Sequence, residues 1–305
     1  MRLAFFGTSS FAVPALRTTA EAVVLVVTQP PRPSGRGRQL TYSPVWRTAE
    51  SLGIEVCAPE KASDPAFIER IRAMKCDALI VASYGQILKQ DLLDSAHRGG
   101  INLHGSILPR HRGAAPVQWT ILSGDAEAGV TLMQMDRGLD TGDIIAIART
   151  EIGPDETAGE LEERLSELAS DLLYSWMPHI RDGDYPRIPQ DESLATLARK
   201  LSRADGELDL ASEARDAYNR FRACNPRPGA FIQTRFGALS VHEMRLQEGS
   251  GGQIATVRYK GGGDLVLVGT GADFVLKSVQ LPGKRRVTGE EFANGARLRV
   301  GDSLV

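Results

Sequence analysis

Leu3-Ala4-Phe5-Phe6 is the first of four short apolar runs, and Val23–Val27, Ile54–Cys57 and Ala78–Ser83 follow it. A strand with one wet face alternates apolar and polar residues. A run that stays apolar and rich in β-branched residues reads instead as a strand buried on both faces, as in a parallel sheet covered by helices. Helix signals fill the gaps. Ser43-Pro44 offers an N-cap hydroxyl followed by a proline at the first helical position. Asp64-Pro65 opens another helix, and Phe67, Ile68, Ile71 and Met74 follow at helical spacing. Ile101–His104 and Val130–Met135 read as further strands. From about Thr157 a long helix is predicted, with Leu161, Leu165, Leu168, Leu172 and Leu173 on one face. This alternation predicts an α/β fold built on a parallel, doubly wound sheet.

The pattern changes after about Ile180. Asp182-Gly183-Asp184-Tyr185-Pro186 through Pro189-Gln190 is turn-rich and reads as a linker. A helix is predicted over Ala211–Cys224. Short strands follow at Phe231–Thr234, Leu239–Met244, Ile254–Tyr259, Leu265–Gly269 and Phe274–Leu281. Their spacing suits a small all-β barrel or sandwich, with the glycine clusters at 249–252 and 261–263 as hairpin turns. The expected organisation is a domain over 1–181, a linker over 182–203 and an all-β domain over 204–305.

Charge is unevenly distributed over the 305 residues. Residues 220–305 hold 13 of the 36 Lys and Arg but 7 of the 38 Asp and Glu, a net of +6, which leaves 23 basic against 31 acidic residues elsewhere. A basic C-terminal part suits a polyanionic partner, and equally a solvated basic face. Cys57, Cys76 and Cys224 are far apart and odd in number, so neither a disulfide framework nor a zinc spacing can be drawn. Gly7 and Thr8-Ser9-Ser10 stop the first apolar run too early for a secretion signal, and no run approaches a membrane span. A cytoplasmic setting is expected.

Four stretches carry candidate chemistry. Gly7-Thr8-Ser9-Ser10-Phe11 lacks the later glycines of a dinucleotide fingerprint and the lysine of a phosphate loop, so a tight turn with a hydroxyl cap is favoured. Asn102 and His104 sit two apart on a strand and therefore share a face. An amide donor beside a titratable imidazole suits acyl transfer, and it also suits a satisfied polar pair at a strand end. Asp136–Asp143 is an acidic, glycine-bearing loop without calcium-loop spacing. Asp140 gains chemical meaning only by approaching His104, where a carboxylate would fix the ring's tautomer. Arg32-Pro33-Ser34-Gly35-Arg36-Gly37-Arg38 is basic and acid-free, fit either for phosphate or RNA contact or for a solvated loop.

Gly100-Ile101-Asn102 followed by His104-Gly105-Ser106-Ile107-Leu108-Pro109 resembles the signature of folate-dependent formyltransferases. Arg112-Gly113-Ala114-Ala115-Pro116, Gly138-Leu139-Asp140-Thr141-Gly142, Phe6-Gly7-Thr8 and Val81-Ala82-Ser83-Tyr84-Gly85 extend the likeness. Over its whole length the chain resembles the methionyl-tRNA formyltransferase family. The resemblance implies a catalytic trio at Asn102, His104 and Asp140. It also implies folate contacts at Ser106, Ile107, Leu108 and Pro109, with Ile107 standing where the family has leucine. The Arg-Pro-x-Gly-Arg-Gly loop resembles the family's tRNA-acceptor loop, whose arginine falls on Arg36. Lys200-Leu201-Ser202 and Asn225-Pro226-Arg227-Pro228-Gly229 are similar to parts of its oligonucleotide-binding (OB)-like barrel.

The implied activity is transfer of a formyl group from 10-formyltetrahydrofolate, bound by a Rossmann-like domain, to the amine of methionyl-initiator tRNA. No metal and no membrane partner are implied, and a monomer is expected. A sugar-nucleotide formyltransferase with the same trio, and an RNA-binding protein without activity, are the competing readings; the basic Arg32–Arg38 loop separates the first of these.

Overall fold

The computed structural model describes residues 1–34 and 39–305. The chain forms two compact units. One comprises residues 1–116, 127–151 and 162–199, and the other residues 117–126, 152–161 and 200–305.

The first unit is built on a seven-stranded sheet. Its strands are β1 (Leu3–Gly7), β2 (Val23–Val27), β3 (Val56–Cys57), β4 (Ala78–Ala82), β5 (Gly100–His104), β6 (Glu127–Gln134) and β7 (Ile144–Glu151), in the order β7-β6-β5-β4-β1-β2-β3. β1 pairs in parallel with β2 and β4, and β4 with β5. The runs of β1, β2 and β4 are buried on both faces, as expected: Ala4, Phe6, Leu25, Val27, Leu79 and Val81 pack on Phe67, Ile71, Leu92 and Leu93, while Leu3, Phe5, Val26 and Ile80 are buried as well. The run at Ile54–Cys57 departs from this, since Glu55 interrupts it and is exposed and the edge strand β3 is only partly covered. At about 1.5–3 kcal/mol per large apolar side chain, this two-sided burial is what holds the sheet together.

The helix signals read from the sequence have their structural counterparts. Ser43 accepts from the Trp46 amide and opens the helix Pro44–Ser51. Asp64 accepts from the Ala66 and Phe67 amides and opens Pro65–Ala73. A long helix spans Ala158–Asp182. Two expectations need amendment. The sheet is not wholly parallel, because β6 runs antiparallel to β5 and β7 antiparallel to β6. Such an antiparallel edge is common on sheets of this kind. The Gly7–Phe11 turn enters a 3-10 helix at Ser10–Ala12 without a hydroxyl cap; Ser9 Oγ donates to Ser83 Oγ and Thr8 Oγ1 to the Tyr84 carbonyl.

The second unit carries an antiparallel sheet of β8 (Ala230–Thr234), β9 (Gly237–Glu248), β10 (Val257–Gly261), β11 (Asp264–Leu267), β12 (Ala272–Gln280) and β13 (Val287–Thr288). The order is β8-β9-β12-β11-β10, with β13 on β12. Its core gathers Tyr218 and Phe221 of the helix Ala214–Cys224 with Met244, Phe274 and Leu276 of the sheet. Trp119 packs on the same core, and the Arg222 guanidinium donates to the Gly153 and Glu156 carbonyls. Residues 117–126 and 152–161 thus belong to this unit. Gly262 and Gly263, both at positive φ, make the two-residue turn between β10 and β11. Residues 249–252 join β9 to β10, which do not pair, so that cluster is a crossover rather than a hairpin.

Candidate active site

The strand order reverses direction between β1 and β4, the place where open α/β sheets hold ligands beyond the carboxyl ends of their strands. β5 lies next to β4 and presents Asn102 and His104 on one face, 9% and 5% exposed. Asp140 comes from the loop between β6 and β7. Asp136 shapes that loop by accepting from the Gly138 amide at 2.9 Å and the Thr141 hydroxyl at 2.7 Å. Gly142 leaves room for the turn, since a Cβ there would run into the Gln134 carbonyl.

The loop brings Asp140 to both strand residues. Asn102 Nδ2 lies 3.5 Å from Asp140 Oδ1, and His104 Nδ1 lies 3.5 Å from Asp140 Oδ2. The Gly113 amide donates to Asp140 Oδ2 at 2.9 Å. His104 Nε2 donates to the His111 carbonyl at 2.9 Å, which fixes the ring's orientation. Three nitrogens, Asn102 Nδ2, His104 Nδ1 and the Gly113 amide, therefore converge on one largely buried carboxylate.

The segment after His104 is drawn inward. Ser106 Oγ donates to the Arg110 carbonyl, and Thr131 Oγ1 donates to the Ser106 carbonyl while accepting from the Leu108 amide. Leu108 is buried with Met133 and Ile144. Ile107 and Pro109 are half-buried and keep surface. The loop after β4 leaves Ile87 79% exposed, and nothing in residue type had singled it out. Arg36 lies outside the described residues.

One set of residues was given no role by the sequence reading. Gln190 Nε2 donates to the Asp140 and Gly142 carbonyls. Arg112, 5% exposed, donates to Gln190 and forks onto Glu192. The Arg112 hydrogen bonds hold the Glu192 carboxyl below the usual carboxylate range. Segment 186–199 is thereby bonded to the Asp140 loop, although its composition reads as a linker. Among the described residues no group of three or more His, Cys, Asp or Glu could hold a metal ion, and no helix is long and apolar enough to cross a membrane.

The family model described as formyl transferase matches residues 1–177, and that described as formyl transferase, C-terminal domain matches residues 200–297. A methionyl-tRNA formyltransferase of Symbiobacterium thermophilum is 40% identical over 99% of this chain and 94% of its own length. One of Solibacter usitatus is 41% identical over 100% and 98%. Among solved structures, an N-formyltransferase of Helicobacter canadensis in complex with folinic acid and dTDP-3-aminofucose superposes with a TM-score of 0.67 at 17% identity, covering 90% of this chain and 98% of that one. The last likeness is one of fold. The full-length identities are a likeness of family, and the chain belongs to the methionyl-tRNA formyltransferase family.

Proposed function

We infer that the protein transfers a formyl group from 10-formyltetrahydrofolate to the amine of methionyl-initiator tRNA, with Asn102, His104 and Asp140 as the catalytic residues. The observation that carries this reading is the convergence of Asn102 Nδ2 and His104 Nδ1 on the Asp140 carboxylate at a strand face. Folate supplies the activated formyl group. Asn102 donates to the formyl oxygen as it gains charge, the role of an oxyanion donor. His104 donates from Nδ1, the ring nitrogen not engaged by the His111 carbonyl. Asp140 balances the imidazolium and, through water, receives the proton lost by the attacking amine as the new C–N bond forms; that proton passes to N10 as the formyl C–N10 bond breaks and tetrahydrofolate leaves. Exposed Ile87 and half-buried Ile107 and Pro109 offer apolar surface suited to a flat pteridine ring, while Ser106 and Leu108 hold the segment in place from within.

The division of labour assigns folate binding and the chemistry to residues 1–181, and tRNA binding to residues 204–305, with their basic stretch 220–305, together with Arg36. Within the expected linker 182–203, the stretch bonded to the Asp140 loop serves the first of these parts rather than acting as a free connector. The reaction needs no metal, and the enzyme works as a cytoplasmic monomer. The test is formyl transfer to charged initiator tRNA, run beside a UDP-amino sugar as competing acceptor. Turnover of the tRNA alone supports the reading. Turnover of the sugar alone replaces it with a sugar-nucleotide formyltransferase, and turnover of neither leaves an RNA-binding protein.

A further inference from the structure

We propose that Gln190 and Arg112 are positioning residues that hold Asp140 against His104 during formyl transfer; the proposal rests on the role given to Asp140 in that reaction. Asp140 is gripped at both ends. The Gly113 amide donates to its carboxylate at 2.9 Å, and Gln190 Nε2 donates to its backbone carbonyl at 2.8 Å and to that of Gly142 at 2.7 Å. Arg112 joins the two grips. It is the covalent neighbour of Gly113, and its Nε and Nη2 donate to Gln190 Oε1 at 3.1 and 2.8 Å. Its remaining edge reaches the Glu192 carboxylate at 2.9 and 2.7 Å. The result is a closed ring of bonds running from carboxylate to carbonyl of one residue.

Asp140 needs this grip. Its φ of 54° lies in the left-handed region, which residues other than glycine occupy sparingly, so the loop's own preference does not secure the conformation. Gln190 meets a demand that few side chains can. Its amide nitrogen supplies two donors for two carbonyls, and its oxygen accepts from a buried guanidinium. A glutamate keeps the acceptor and loses both donors; a lysine does the reverse. The surrounding backbone fixes where Gln190 sits. Ile188 and Ile144 exchange amide–carbonyl bonds at 2.8 and 3.0 Å, and the Arg112 amide donates to the Thr196 carbonyl at 2.8 Å.

The experiment compares Gln190→Ala, Gln190→Glu, Asp140→Ala and the Gln190→Ala/Asp140→Ala double variant in full-length protein. The readouts are kcat and KM for both substrates, the pH–rate profile and thermal melting. Displacement of a catalytic group by a fraction of an ångström to an ångström lowers kcat by about tenfold to a hundredfold, and that loss is expected of both Gln190 variants, with KM values unchanged and the pH profile altered. Gln190→Glu still pairs with Arg112, so its failure to rescue identifies the two donors as the working part; it also carries the comparison should Gln190→Ala not fold. In the Asp140→Ala background, Gln190→Ala should cost nothing more. Parental kcat and pH profile in Gln190→Ala, or losses that multiply in the double variant while Asp140→Ala is itself impaired, overturn the brace alone. Full turnover in Asp140→Ala overturns both the brace and the catalytic reading beneath it.

Discussion

Replacing Asp140 by asparagine tests the charge at the centre of the site with almost no change of shape. Asp140 Oδ2 accepts from the Gly113 amide and faces His104 Nδ1, while Oδ1 faces Asn102 Nδ2. An asparagine can put its single oxygen toward Gly113 and His104, but its NH2 then meets the Asn102 NH2, donor against donor. The larger loss is electrostatic. At 3.5 Å, a unit-charge pair in an effective dielectric of about 20 interacts by roughly 5 kcal/mol. Amide dipole and water recover part of this, so about half is the usable figure. At about tenfold per 1.4 kcal/mol, kcat should fall on the order of 10²-fold.

The fold supplies an internal control. Asparagine tolerates the left-handed conformation that Asp140 adopts, whereas alanine pays about 1–2 kcal/mol there. Asp140→Asn should therefore melt like the parent and Asp140→Ala at a lower temperature, while both lose turnover to a similar degree. The assay is saturating formyl transfer to methionyl-tRNA alongside thermal melting followed by circular dichroism. An asparagine variant that keeps most of the parental kcat would refute the reasoning and leave Asp140 a turn residue.

Three further outcomes are expected. His104→Ala and Asn102→Ala should fold and lose about 10²–10⁴-fold and 10²–10³-fold in kcat, the usual worth of a positioned proton donor and an oxyanion donor; near-normal turnover in both removes the proposed site. Gly142→Ala puts a methyl group against the Gln134 carbonyl, so the Asp140 loop must shift and kcat should drop with little change in folate affinity, measured by fluorescence titration. Burial lowers the His242 imidazole below its ordinary value of 6.5, with nearby Arg286 acting in the same direction against the Gln280 bond. The unfolded chain then binds that proton more readily than the folded one, so stability declines as pH falls through 6.5 and below. His242→Gln should flatten the acid side of the melting-temperature profile, and an unchanged slope would show that His242 does not contribute.

Much of the fold was legible because its signals are local. Ser43-Pro44 and Asp64-Pro65 each place a capping side chain one residue before a proline, and both caps form with the amides that such a pattern serves. β1, β2 and β4 announced themselves because strands buried on both faces cannot hide polar residues. β7 was illegible for the converse reason. It is an edge strand that ends Arg149-Thr150-Glu151 with half its residues only partly covered, so neither a continuous apolar run nor clean alternation survives. The antiparallel direction of β6 was equally hidden, because direction is set by the route of the preceding connection and leaves no mark on the strand's own composition.

The site divides along the same line. Asn102 and His104 were readable as a pair because a two-residue separation on a strand is a geometric statement in itself. Asp140 had no such relation to them; a family motif, not spacing, pointed to it. Gln190 had neither. Its partners stand 50 and 48 residues away in sequence and are backbone carbonyls, which every residue type possesses and no pattern records. Tyr185-Pro186 through Pro189-Gln190 is turn-rich because that stretch forms little regular ladder of its own, and the composition is the same whether its polar groups face water or another segment. Its hydrogen bonds decide between the two. Ile188, Gln190, Glu192 and Thr196 each bond to residues between 109 and 144, so the stretch is bound to the Asp140 loop by the most direction-sensitive bonds the chain can make. A segment held in this way transmits a displacement of either end to the carboxylate, which a free connector cannot do.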